Sequence, residues 1–385
     1  MGAIGGAVNF KGKMDFSRLE KMRKTMLLRG KGAGAAFLCS ACGMFFSPMS
    51  EEDRQPYICE RGGNLFSLCI EGSGFDPSVI MGKYFDLGED ILGLLVGSFS
   101  LVLYDGEKKR LILARDRRGS RPLYFRPLGD GFIFASEVKA LTGEYISVDR
   151  EALSSHITSP IGRYGVEDVC FDILSVGAGE AVIITPEGIY REFYRTKNEE
   201  RKIYPRLSSQ SERISIDYRL DSSRVGEYLG NALLAFDFPQ FDVYMPSVMD
   251  AFEKSSGRVI FEDAVRSYSL DYSYCRQDRL GSLFGVCGLG IYPSAKPEFN
   301  VDELYAFERV LWERCQGRGI SIVRRVLGNC KYDRLFAFLE EKNKKPEEAE
   351  NSIRILGMIC QLIDWSEVES LVISDSRESY PYSRL

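Results

Sequence analysis

The spacing of the apolar residues changes part-way along the chain, and this change limits the fold to two parts of different kinds. Up to residue 195, Gly and Pro divide the sequence into short apolar runs of strand length. The runs predicted as strands are Ile4 to Phe10, Gly34 to Ser40, Leu65 to Ile70, Ser98 to Tyr104, Leu111 to Arg115, Leu123 to Phe125, Phe132 to Ala135 and Glu180 to Ile184. Helical patterns at Asp15 to Leu28, Asp76 to Tyr84 and Arg150 to Ser159 interrupt them. The first part is therefore predicted to be α+β.

The second part follows a polar stretch. Between Thr196 and Arg224 the apolar content falls while charge and Ser rise, as in a linker. Beyond it, helical spacing predicts helices at Val225 to Phe236, Ser247 to Lys254, Val301 to Cys315, Ile322 to Asn343 and Pro346 to Ile363. We therefore predict a domain over residues 1–195, a linker over 196–224 and a mainly α-helical domain over 225–385.

Composition excludes several classes of function. The 50 Lys and Arg against 55 Asp and Glu leave a net charge of -5, which gives no basic footprint for nucleic acid or anionic membranes. The apolar run from Ile91 to Leu103 is broken by Gly93 and Gly97, so it is too short to span a bilayer. The N-terminus lacks a signal-peptide pattern, and the 10 Cys have no regular spacing, which favours a reducing compartment. We expect a cytoplasmic protein that binds neither nucleic acid nor membranes.

Histidine and cysteine offer little to a catalytic or metal site. The sequence contains 1 His, His156, so a zinc site with two histidines from this chain is excluded, and we expect a surface or capping role for it. Cys39 and Cys42 form a C-x-x-C, whose spacing fits a redox pair or half of a zinc site. No second C-x-x-C occurs, and we favour two buried thiols.

The segment from Gly97 to Leu141 carries the most specific pattern. It contains R-D-x-x-G-x-x-P-L-Y from Arg115 to Tyr124 and A-S-E-x-K-A-L from Ala135 to Leu141. This segment resembles the class II glutamine amidotransferase domain of asparagine synthetases. The resemblance extends to Met1 to Asn9, Asp76 to Gly97 and Leu153 to Tyr194. It implies, for the first part of the chain, the four-layer αββα sandwich of N-terminal-nucleophile hydrolases.

The residue that carries the chemistry of that family is replaced. The family uses a cysteine at position two, exposed as the first residue when the initiator Met is removed, and its own α-amino group takes the thiol proton. This chain has Gly2 there, and neither Ala3 nor Ile4 is a nucleophile. We therefore expect no catalytic residue at this site.

The groups that hold glutamine in the family are also changed. Its R-G-P-D-x-x-G corresponds to Arg29 to Ala35, without the Pro and the Asp, and its carboxylate-binding arginine falls near Met44 to Phe46. The Asn-Gly pair of its oxyanion hole corresponds to Glu71 and Gly72, and a carboxylate repels a developing oxyanion. Asp76 matches the residue that holds the glutamine α-amino group. The resemblance leaves Asp76, Gly72 and Arg29 as vestigial substrate-binding residues and indicates no metal site.

The second part keeps only fragments of a synthetase. The family's S-G-G-x-D-S loop wraps pyrophosphate with glycine backbone. Arg219 to Ser223 keeps the Asp-Ser-Ser but lacks both glycines and a preceding hydrophobic strand. Asp278 to Val286 resembles another synthetase motif up to Cys287. Asp237 to Asp242 combines aromatics with two carboxylates, either a metal or substrate site or a turn whose phenylalanines enter the core, and we favour the turn.

Two interpretations stay open at this stage. In the first, the chain is an asparagine-synthetase-like protein with a type-2 amidotransferase domain that has become a non-catalytic binding, regulatory or assembly module, with no cofactor. In the second, it is an ATP-dependent amide-forming ligase, requiring ATP and Mg, that uses a nitrogen source other than glutamine or a separate catalytic subunit. The partners open to it are a second copy of itself or that catalytic subunit.

Overall fold

The structure is a computed structural model of the whole chain. It describes residues 2–12, 14–26, 34–48, 54–72, 74–143, 146–158, 169–195, 202–203, 212–214, 216–236, 239–255, 257–261, 286–290, 299–316, 319–341, 344–368 and 371–374. The chain forms two compact units. The first unit comprises Met1–Thr142 and Asp172–Ser209, and the second comprises Gly143–Phe171 and Gln210–Arg384.

In its described residues, the first unit contains two antiparallel sheets and two α-helices. The strands of sheet 1 are β1 (Ala3–Val8), β2 (Ala36–Leu38), β3 (Cys42–Ser47), β8 (Tyr124–Leu128), β9 (Gly131–Ala135) and β11 (Leu174–Ser175), in the order β11-β8-β9-β1-β3-β2. Those of sheet 2 are β4 (Tyr57–Arg61), β5 (Asn64–Glu71), β6 (Ser100–Asp105), β7 (Arg110–Arg115), β12 (Glu180–Ile184) and β13 (Ile189–Phe193), in the order β13-β12-β7-β6-β5-β4. The helices are α1 (Phe16–Thr25) and α2 (Pro77–Leu87), and a 3-10 helix (Gly88–Leu94) follows α2.

The two sheets pack face to face between helices. One core cluster joins Ile4 and Phe46 of sheet 1 to Val102 and Val182 of sheet 2, all almost fully buried. Helix α1 packs on the other side of sheet 1, against β1 and β3. A second cluster places α2 and the 3-10 helix on the other side of sheet 2. The predicted four-layer αββα sandwich is therefore confirmed.

The second unit is mainly helical in its described part, as predicted. Its helices are α3 (Arg150–Thr158), α4 (Val225–Phe236), α5 (Met245–Glu253), α6 (Val301–Cys315), α7 (Ile320–Leu327), α8 (Asn329–Leu339) and α9 (Pro346–Val368). The long helix predicted from Ile322 to Asn343 is wrong, because Gly328 has φ 74° and separates α7 from α8.

Two small parallel sheets accompany these helices, and neither was predicted. One joins β14 (Glu212–Ile214), β15 (Gly257–Phe261) and β16 (Val286–Gly290). The other pairs β10 (Ile146–Asp149) with β17 (Leu371–Ser374). Residues Gly143–Phe171 belong to the second unit, which the apolar spacing did not indicate. The chain returns to the second unit after Ser209, and this boundary lies within the linker predicted over 196–224.

Within the described ranges, no helix combines the length and the hydropathy that a membrane span requires.

Candidate functional site

The position of the expected nucleophile lies in the first unit, at the start of β1. Gly2 is buried, and the strand pairs with β3 in the register Ala3 to Ser47 and Ile4 to Phe46. A Cβ atom built on Gly2 would lie 2.4 Å from Cζ of Phe46 and 2.8 Å from the carbonyl oxygen of Ser47. Phe46 is itself 1% exposed and forms part of the core between the sheets. The site therefore lacks both a thiol and the space for one.

The position of the expected oxyanion hole holds a buried carboxylate. Glu71 ends β5 and is 0% exposed. Its Oε2 accepts hydrogen bonds from Oγ of Ser136 at 3.0 Å and Oγ of Ser100 at 3.5 Å. Ser136 Oγ in turn accepts the backbone N–H of Ile4 at 3.1 Å, which ties the carboxylate to the strand that follows Gly2. Glu71 thus stands where the resemblance places an amide donor of the oxyanion hole.

Of the three residues expected to hold glutamine, the structure describes Asp76 and Gly72. Asp76 is the N-cap of α2, and its Oδ1 accepts from N–H and Oγ of Ser78 at 2.9 Å and 2.6 Å. An Asp at this position satisfies amides that the helix leaves unpaired. Gly72 follows β5, and a Cβ there would lie 2.7 Å from the carbonyl oxygen of Ser98. Arg29 lies outside the described residues.

The most specific sequence pattern forms a loop held by its own side chains. The Arg115 guanidinium donates to the carbonyl oxygens of Arg121 at 2.5 Å and Val176 at 2.6 Å. Buried Asp116 accepts the backbone N–H groups of Phe99, Arg118 and Ser120 and the hydroxyl of Ser120, at 2.9–3.1 Å. These bonds connect the β7–β8 loop to the strands around it. The pattern is accounted for by the fold and requires no ligand.

The C-x-x-C pair lies in the turn between β2 and β3. Cys42 is fully buried, and desolvation raises the pKa of its thiol. Cys39 is half-buried, and its backbone N–H donates to the carbonyl of Cys42 at 2.8 Å. In the part of the chain that the structure describes, no group of three or more His, Cys, Asp and Glu could hold a metal ion. The prediction of two buried thiols holds fully for Cys42 and in part for Cys39.

Two predictions about the second unit have different outcomes. His156 was expected at the surface or at a cap, which is wrong: it is 0% exposed in α3, and its Nε2–H donates to the carbonyl of Pro239 at 2.8 Å. Asp242 lies in a turn, where its Oδ1 accepts the N–H groups of Tyr244 and Met245. The neighbouring Phe241 is 1% exposed, as expected of a turn that sends its phenylalanine into the core.

The loop that resembles a pyrophosphate loop has its amides occupied. Strand β14 precedes this loop and α4 follows it, but β14 contains Glu212 and Arg213, so it is not the hydrophobic strand that the family's loop follows. The N–H of Arg219 donates to Oγ of Ser247 at 3.1 Å, and that of Leu220 donates to Oε2 of Glu303 at 3.1 Å. Asp221 Oδ1 accepts from N–H and Oγ of Ser223 at 2.9 Å and 2.6 Å. A carboxylate therefore sits on a backbone amide that a phosphate group would need.

Comparisons with known proteins agree with the geometry of the first unit. The family model described as a glutamine amidotransferase domain matches residues 72–195. Asparagine synthetase [glutamine-hydrolyzing] 1 of Bacillus subtilis is 30% identical over 155 residues, which covers 37% of this chain and 24% of that protein. The N-terminal region is a glutamine amidotransferase domain related to those of asparagine synthetases. Asparagine synthetase 3 of the same organism is 28% identical over 127 residues, and synthetase 2 of Arabidopsis thaliana is 42% identical over 73 residues.

These relatives are matched over only part of their length. The chain spans 24% of the first synthetase, 21% of the second and 13% of the third. A solved structure of glutamine phosphoribosylpyrophosphate amidotransferase from B. subtilis aligns over 73% of this chain and 64% of its own, with a TM-score of 0.35 and 15% identity. That similarity is too low to support an argument.

The sequence did not predict the contacts that three residues make at these positions. Phe46 closes the space at Gly2, Ser136 binds the Glu71 carboxylate, and Glu303 occupies the amide of Leu220. Ser136 belongs to the A-S-E pattern of the amidotransferase domain, so the sequence pointed to this residue but not to its contact with Glu71. Phe46 and Glu303 carried no signal, because each acts on a residue far from it in sequence.

Proposed function

We propose that this amidotransferase domain is a non-catalytic module for binding, regulation or assembly. The observation that carries the proposal is the state of the pocket at Gly2. The position has no nucleophile, the Phe46 ring lies 2.4 Å from where a Cβ would stand, and Glu71 replaces a hydrogen-bond donor of the oxyanion hole. Loss of the thiol alone would leave an empty pocket, but here the core itself extends into the space.

The proposal is tested by ammonia release from glutamine. Wild type is compared with Gly2→Cys and with Gly2→Cys/Phe46→Ala, in which space for the thiol is restored. A glutamine-hydrolysing asparagine synthetase serves as the positive control, and circular dichroism confirms that each variant is folded. We expect no release above the blank from any of the three, because Glu71 stays in place. Turnover by the wild type at an enzyme-like rate would overturn the proposal.

A further variant separates the two defects of the pocket. Adding Glu71→Asn to Gly2→Cys/Phe46→Ala supplies both a thiol and an amide donor. Activity in this triple variant but not in the double variant would assign the block to the carboxylate. Activity already in the double variant would assign it to the missing thiol and the packing of Phe46.

The ATP-dependent ligase is the second candidate, and its support is the position of Arg219 to Ser223 between β14 and α4. We infer that this loop no longer binds the phosphates of ATP, because Glu303 and Ser247 hold its amides. Calorimetry with Mg-ATP tests this in the same preparation, with Glu303→Gln as the variant that removes the charge and Glu313→Gln as an exposed control on the same helix. No heat of binding to the wild type is expected. Binding together with pyrophosphate release in the presence of a carboxylic acid would establish the ligase instead.

A further inference from the structure

A pair of buried thiols joins two helices of the second unit. Cys315 is the last residue of α6, and Cys360 lies in α9. Their Sγ atoms are 3.2 Å apart, and the two side chains are 0% and 1% exposed. The S–S bond of a disulfide is about 2.05 Å long, so the sulfur atoms would have to approach by roughly 1 Å.

The backbone around the pair holds the two thiols in this position. Cys315 Sγ lies 3.6 Å from the carbonyl oxygen of Leu356, and Cys360 Sγ lies 3.7 Å from that of Leu311. Each contact crosses from one helix to the other, one turn away from the opposite cysteine. The helices are therefore packed closely on both sides of the sulfur pair, with the two Sγ atoms already in contact.

We propose that Cys315 and Cys360 are an oxidisable dithiol, which a small-molecule disulfide converts into a covalent cross-link between α6 and α9. One cysteine thiolate attacks the reagent, forms a mixed disulfide and releases one thiol. The second cysteine thiolate then displaces the remaining half of the reagent. In total, two protein thiols are oxidised to one disulfide, and the reagent takes up their two electrons and two protons and leaves as two thiols.

Access to the pair comes from the end of α6. The hydrogen bond to Cys360 and burial raise the pKa of the Cys315 thiol, so little thiolate exists in the closed state. Cys315 belongs to the final helical turn, whose carbonyls have no partner within the helix, and such ends open more readily than helix interiors. Oxidation is therefore slower than at Cys330, which is exposed at the start of α8.

The test uses the full chain and oxidised glutathione under native conditions. Remaining thiols are alkylated, and tryptic peptides are analysed by mass spectrometry. Trypsin cleaves after Arg314, Arg325, Lys331 and Arg354, so Cys315, Cys330 and Cys360 appear in separate peptides. We expect a cross-link between the peptides of Cys315 and Cys360, and a mixed disulfide at Cys330. Alkylation of Cys315 and Cys360 as free thiols, in protein whose Cys330 carries glutathione, would overturn the proposal.

Thermal unfolding gives an independent readout. The cysteines are 45 residues apart, and closing a loop of that length should raise the melting temperature of the second unit by on the order of 10 °C. The control Cys330→Ser keeps the shift, whereas Cys315→Ser and Cys360→Ser lose it. Should those two variants fail to fold, reduction of the oxidised wild type must reverse the shift. A cross-linked wild type with an unchanged melting temperature would contradict the stabilising role.

Discussion

The loop from Arg115 to Gly119 and the pocket around Gly2 belong to the same amidotransferase domain, but their residues now serve different requirements. The loop keeps the family pattern, and its Arg115 and Asp116 side chains hold backbone groups and the Ser120 hydroxyl. At the position expected for the nucleophile, the Phe46 ring packs against Gly2, and the buried Glu71 carboxylate is held by the Ser136 hydroxyl. The difference teaches that the signature by which this domain is recognised reports its fold, whereas activity depends on a few other residues.

Asp116→Ala should have the largest effect, because it removes an acceptor shared by three backbone N–H groups, two of them buried, and one hydroxyl. Leaving such donors unpaired is expected to lower the free energy of unfolding by roughly 3–5 kcal/mol. The control is Asp130→Ala, which changes an exposed Asp in the β8–β9 turn. Urea titration followed by circular dichroism measures both. Equal stability of the two variants would mean that the bonds of Asp116 do not stabilise the fold, which would contradict the structural role assigned to the loop.

Gly2→Cys should have the second-largest effect on stability, and it tests the packing around Gly2. The new Cβ would lie 2.4 Å from Cζ of Phe46, and overpacking of this kind costs about 1–3 kcal/mol. Phe46→Leu in the same chain should recover part of that loss, so a double-mutant cycle should give a favourable coupling between the two changes. Gly82→Cys is the control, because a Cβ there meets nothing within 4 Å. A Gly2→Cys variant as stable as the wild type would mean that the pocket is still open.

Asp76 should show the smallest effect, since its observed role is that of a helix cap. Asp76→Ala is expected to cost about 1 kcal/mol, while Asp76→Asn keeps an acceptor for the Ser78 amide and should cost only a few tenths. Thermal unfolding measures the stability, and calorimetry with glutamine measures binding. Glutamine binding that is present in the wild type and lost in both variants would restore Asp76 to a substrate-binding role.

Much of the first unit could be predicted from the sequence, because its strands and helices have strong local patterns. Strand β12 of the first unit has the predicted limits, as do helices α4 and α6 of the second unit. Strand β3 was missed, since it is buried on both faces and shows no alternation of apolar and polar residues. Helix α7 was joined to α8 because a single Gly328 does not reveal its positive φ in the sequence.

Pairings between distant segments could not be predicted in the same way. Strand β10 pairs in parallel with β17, more than two hundred positions later in the chain. Strands β14 and β16 are short, and each pairs with the central strand β15 from a different part of the chain. Parallel pairing needs a long crossover, so no turn signal marks it. The burial of His156 was missed for a related reason. Its hydrogen-bond partner, the carbonyl of Pro239, lies on a segment 83 positions away in the chain.

The sequence by itself determined the family of the N-terminal region and placed Gly2 at the expected nucleophile position, because both are matters of residue identity at Arg115 to Leu141 and at Gly2. Only the tertiary structure decided what surrounds Gly2, Glu71 and the Arg219 to Ser223 loop. The Phe46 ring over Gly2, the hydroxyls on Glu71 and the Glu303 carboxylate on the amide of Leu220 are contacts between residues far apart in the chain. Packing and hydrogen bonding at such distances depend on the folded arrangement and leave no local pattern to recognise.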